Sequence, residues 1–98
     1  MSKFLYLWEM DMSRIPVDPN ERAALTAKQI EKTKKSLDEG QITDWGLFAG
    51  GGAGYAIGDG TASDALRGTM QFSPYVKFQT HLVLSVDEVA EVMKSLMR

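Results

Sequence analysis

Phe4-Leu5-Tyr6-Leu7-Trp8-Glu9-Met10-Asp11-Met12 sorts into two sets of side chains, and the reading of this stretch decides the fold. Phe4, Tyr6, Trp8, Met10 and Met12 fall on one side, Leu5, Leu7, Glu9 and Asp11 on the other. A period of two with aromatic residues is the signature of a β-strand. Both sides are apolar at the start, which predicts a central strand covered on both faces. The stretch is apolar only from Phe4 to Trp8 before Glu9 intervenes. That is too short for a signal-peptide core or a membrane span, so the strand is expected to open the mature protein.

Working outward, Asp18-Pro19-Asn20-Glu21 has the form of a helix start, with an acceptor for orphan amides followed by proline at the first helical position. Gly40 after Glu39 suits a left-handed stop. Between them Ala23, Ala27, Ile30 and Leu37 share a face interrupted by Lys34. Lys28, Glu31, Lys32, Lys35 and Asp38 decorate the outside. The basic residues of this helix are broken up by Glu31, Asp38 and Glu39 and read as a solvated face.

Residues 42–49 and 55–59 read as a second and a third strand, joined through Gly50, Gly51, Gly52 and Gly54. The run contains neither a Gly-x-Gly-x-x-Gly nor a Gly-Lys-Ser/Thr, and a strand rather than a helix follows it, so it is expected to be a hairpin and not a phosphate cradle. Thr61 caps a short second helix with Ala65, Leu66 and Met70 as its apolar side, ended by Ser73-Pro74. Residues 75–84 alternate again as a fourth strand, with Val76, Phe78, Leu82 and Leu84 opposed to Tyr75, Lys77, Gln79, His81 and Val83. Ser85-Val86-Asp87-Glu88 is a capping box, and Val86, Val89, Met93 and Leu96 or Met97 recur at helical spacing to the end.

The order strand, helix, two strands, helix, strand predicts an α+β domain of the ferredoxin-like β-α-β-β-α-β kind. It would span residues 1–98, with an added C-terminal helix packed at a sheet edge or on a partner subunit. Both earlier helices would cover one face of a four-stranded antiparallel sheet whose first and last strands lie in the middle. Leu5, Leu7, Val76, Phe78 and Leu82 are expected under the helices. The bare face would then carry Phe4, Tyr6, Trp8 and Met10 with Tyr75, Lys77, Gln79, His81 and Val83. Such an aromatic patch exceeds what a monomer usually exposes, and a second copy stacked on it through a two-fold axis is the simplest cover.

The totals narrow the chemistry. In 98 residues, thirteen acidic side chains are interleaved with eleven basic ones for a net charge of -2, so no field exists to attract nucleic acid. The absence of cysteine removes disulfides, thiolate metal sites and a cysteine nucleophile, and fits a reducing, cytoplasmic setting. Glu9 and Asp11 share a strand face but have no third carboxylate beside them, so no metal site is expected. His81 is the single histidine and the candidate proton carrier, with Lys77 beside it able to lower its pKa by like-charge repulsion. Tyr6, Trp8 and Tyr75 form a candidate aromatic wall for a planar ligand, with Lys77 and Gln79 as polar contacts.

Four groups of residues together resemble the dimeric α+β barrel proteins, and within them the muconolactone isomerase-like group. These are Phe4-Leu5-Tyr6-Leu7 leading to Ile15-Pro16-Val17-Asp18, Ala49-Gly50, Tyr55-Ala56-Ile57, and Ser73-Pro74-Tyr75. The resemblance implies two sheets closing into a barrel as a homodimer, with stacking of dimers into larger rings as a further option. It also implies a pocket for a small molecule and an activity, where there is one, that needs no cofactor, as in isomerases and oxygenases of this kind. The glycine-rich run and the C-terminal helix depart from the isomerase pattern, and no acid/base pair carries over. A non-catalytic dimerisation or regulatory module is the alternative, with the sheet face serving as interface alone.

Overall fold

A computed structural model describes residues 2–97. The chain runs β1 (Ser2–Met10), α1 (Pro19–Asp38), β2 (Asp44–Leu47), β3 (Ala53–Gly60), α2 (Ala62–Met70), β4 (Val76–Val83) and α3 (Val86–Leu96). The four strands form one antiparallel sheet in the order β2-β3-β1-β4, an α+β arrangement compatible with the ferredoxin-like fold.

Helix starts follow from local chemistry. The Asp18 side chain accepts from the Glu21 amide at 3.1 Å. Thr61 and Asp64 close a reciprocal capping box at α2, and Ser85 and Glu88 another at α3. The β2–β3 hairpin turns through Gly51 and Gly52 at φ of 79° and 77°, a region that disfavours any residue with a Cβ.

Two expectations about the sheet are corrected. β4 is an edge strand, and β3 takes the central place beside β1. The exposed Lys77, Gln79 and His81 suit an edge, where charged and polar side chains discourage further pairing. The second correction concerns the faces of β1. Phe4, Tyr6 and Trp8 are buried beneath the helices, while Leu5 and Leu7 lie half-buried on the bare side. Register explains this: Phe4, Tyr6 and Trp8 stand opposite Gly58, Ala56 and Gly54 of β3, whose small side chains leave room for the rings. In β4 the same three face Leu82, Thr80 and Phe78.

The packed core is thin: Phe4, Tyr6, Ala56 and Ala65, flanked by Ile42 and Phe78. α1 buries none of its residues, and Ala23 and Ala27 are exposed, so of the expected apolar stripe only Ile30 and Leu37 are on the side turned to the sheet. α3 packs at no edge of its own sheet, and every residue from 84 to 97 is exposed. The Cα radius of gyration is 16.3 Å, against about 13 Å for a compact domain of this size. The molecule is elongated, 62 × 26 × 23 Å.

Candidate functional site

Between the helices and the sheet lies a cleft of about 790 Å³. Its floor is aromatic. Trp8 and Trp45 stack with ring centroids 5.4 Å apart and planes 12° from parallel. Phe78 meets Tyr6 edge-on at 6.5 Å and Phe72 at 6.1 Å with planes tilted by 55°. The Trp8 ring is held across β3 by its Nε1–H, which donates to the Tyr55 carbonyl at 3.2 Å. Gly54 makes this possible, because a Cβ there would run into the Trp8 ring and the Gly46 carbonyl.

The opposite wall is polar. α1 turns Thr26, Gln29, Thr33 and Ser36 to the cleft together with Ile30 and Leu37, a spacing of three and four residues that defines one helical face. The Thr33 hydroxyl is occupied by the Gln29 carbonyl at 2.9 Å. The Gln29 side-chain nitrogen is buried and has no acceptor among the described residues. An amide donor left without a partner away from water costs about 1–3 kcal/mol; its nitrogen is covered, so a turn of the side chain toward the cleft is what would bring it to a ligand oxygen and relieve that penalty.

Lys32 ties α1 to the segment after α2: its Nζ donates to the Gln71 carbonyl at 2.9 Å and lies 5.9 Å from the Phe72 ring centre. The α2 side brings Asp64, paired with Arg67 at 2.9 Å. Hydrogen bonds from the Thr61 backbone and hydroxyl, then the Arg67 guanidinium, hold the Asp64 carboxyl below its ordinary value. Burial, reinforced by the Asp64 charge, pushes the Tyr6 phenol up. Tyr6 therefore stays a neutral hydroxyl at any physiological pH.

The residues singled out from the sequence fall into three places. Tyr6 and Trp8 line the cleft. Tyr75 sits apart in a shallow niche with Pro16, Glu21, Ala24, Leu25 and Lys28. Lys77, Gln79 and His81 are exposed on the bare face, where His81 pairs with Leu5 and Gln79 with Leu7. Trp8 and His81 thus lie on opposite sides of the sheet. Glu9 faces Lys77 in register, and Asp11 accepts from the Ser13 hydroxyl at 2.6 Å, which is the main reason its carboxyl is held low.

Sequence reasoning missed Gln29, Trp45 and Phe72 as cleft residues, whereas Phe78 lies on the helix side as expected. Thr26, Gln29, Thr33 and Ser36 do recur at helical spacing, a polar seam that a search for apolar stripes passes over. No family model matches the chain, and no curated protein matches it. No helix among the described residues is long and apolar enough to cross a membrane.

Proposed function

We propose that this protein binds a small planar molecule in the cleft between its sheet and helices, and does so as a homodimer of the dimeric α+β barrel kind. The observation that carries the binding reading is the stacked Trp8–Trp45 floor in a cleft whose α1 wall holds the unpartnered Gln29 amide. The cleft volume falls within the range of about 300–1,000 Å³ usual for small-molecule sites, and its lining joins an aromatic floor to polar side chains able to orient a ligand. The ligand is a ring system that lies on the tryptophans and presents a carbonyl, ester or lactone oxygen to Gln29.

The dimer reading rests on the bare face. Its centre is Leu5, Leu7, Tyr55, Ile57 and Val83, all half-buried, and its rim is Lys3, Asp59, Asp44, Lys77, Gln79 and His81. An apolar centre with a polar rim is the anatomy of a protein–protein interface. His81 then belongs to the space between two copies rather than to the ligand cleft.

Coumarin, a planar lactone, is a suitable probe. Calorimetric titration is expected to give saturable binding below 1 mM, weakened in both Trp45→Ala and Gln29→Leu. Absence of saturable heat, or equal affinity in both variants, would contradict the binding reading.

A further inference from the structure

α3 is specified fully by the chain and is left without a surface to rest on, exposed along its whole described length. Its capping box is complete, with the Glu88 amide donating to the Ser85 hydroxyl at 3.1 Å and the Ser85 amide to the Glu88 carboxylate at 2.9 Å. Val86, Val89, Met93 and Leu96 line up on one side, yet all are exposed, Val86 at 82% and Leu96 at 71%. The helix has 11 residues. Isolated helices shorter than about 12–15 residues are marginal in water whatever their caps, so the persistence of α3 requires packing that its own subunit does not provide.

The long axis of the molecule points the same way. A nine-residue β1 and a twenty-residue α1 each span about 30 Å, roughly half of the 62 Å extent. α3, about 16 Å long and exposed throughout, is long enough to account for about half of the remainder.

We infer that α3 is a clamp whose apolar side packs on a second copy of this chain. The inference rests on the proposed dimer through the bare sheet face and adds to it how that dimer reaches a stable size. A face of four short strands projects to roughly 500 Å² at strand spacings of about 4.8 Å, short of the roughly 800 Å² per partner of a standard interface. The apolar side of α3 contributes about 160 Å² and covers a like area on the copy it grips, which brings the total to that standard. The helix is connected to β4 through Leu84 and Ser85 alone. So short a link ties its direction to the strand and suits an arm that engages its partner as the sheets meet.

The test is amide hydrogen exchange on the full chain, read with sedimentation velocity at the same concentrations. In the wild type, α3 amides are expected to be protected at least 100-fold where the protein is dimeric and to lose that protection on dilution to monomer. The doubly substituted V89D/M93D, altered only at exposed positions, is expected to keep its circular dichroism and melting temperature while its dimer dissociation constant rises at least tenfold. A dimer in which α3 stays unprotected, or a V89D/M93D dimer of unchanged affinity, would overturn the clamp and leave the sheet-face dimer standing. A wild type monomeric at every concentration would overturn both, and a monomer with α3 protected would show instead that the helix folds back on its own subunit.

Discussion

The two faces of the sheet are built from the same strands and suit opposite occupants. On the helix side, rings from β1 and β2 flank the small residues of β3, Phe78 of β4 meets Tyr6, and α1 stands off the sheet on its polar side, so concavity and hydrogen-bonding groups coincide. On the bare side, Leu5, Leu7, Tyr55 and Ile57 make a shallow, largely apolar surface with charges at its margins. A concave site with a few directed polar groups suits a small molecule, whereas a flat apolar centre suits another protein surface. Alternation along β1 alone cannot decide which side is which. The small residues opposite it in β3 do.

The sharpest way to break this comparison is to remove the ring that separates the two faces. Trp8→Ala is expected to destabilise the fold by about 3–5 kcal/mol, measured by urea unfolding, because it deletes a buried ring and its stack on Trp45. A cost below 1 kcal/mol would mean that the ring is not packed as described. On the bare face, Leu7→Asp is expected to weaken dimerisation at least 100-fold in sedimentation velocity and to leave coumarin affinity unchanged, since its side chain points away from the cleft. Gln29→Leu is the converse probe: about threefold to tenfold weaker coumarin binding with no change in dimer affinity. His81→Ala is expected to change coumarin affinity less than twofold by calorimetry.

Titration adds one further expectation. The folded pKa of Tyr6 is raised above the ordinary phenol value of 10.0, so the unfolded chain loses that proton first as pH rises. The stability contributed is intact below pH 10 and declines above it. Asp64 is displaced in the other direction, below its ordinary 3.8, so its contribution is intact above that value and is lost as pH falls below it. Urea midpoints of Tyr6→Phe and Asp64→Asn against pH would show the alkaline and acid limbs flattened respectively.

What was legible in the sequence was what depends on near neighbours. The order of elements follows from alternation, caps and glycines. The starts of all three helices lie at the residues whose side chains accept from the first-turn amides, Asp18, Thr61 and Ser85. The hairpin turns where glycine must supply a positive φ, at Gly51 and Gly52. What was not legible depends on register between distant segments. That Trp8 faces Gly54 and Phe78 is a pairing of residues 46 and 70 positions away, and one step of slip would exchange the faces. The cleft was hidden for a related reason. Ala23 and Ala27 mark the side on which an ordinary helix would pack, but α1 spans an open cleft and turns Thr26, Gln29 and Thr33 to it instead. β4 read as central because it carries apolar residues on both sides, although Leu82 is 61% exposed at the edge.

The division of labour between the faces is tested most directly by two-dimensional ¹H–¹⁵N NMR of the labelled protein during a coumarin titration. Trp8 and Trp45 each give an indole N–H signal, and Gln29 gives a side-chain amide pair. Saturable shifts of both indole signals and the Gln29 amide are expected, with the backbone amides of Leu5, Leu7, Gln79 and His81 unmoved. Shifts centred on Leu5, Leu7 and His81, with the indoles and Gln29 silent, would place the ligand on the bare face and contradict that division.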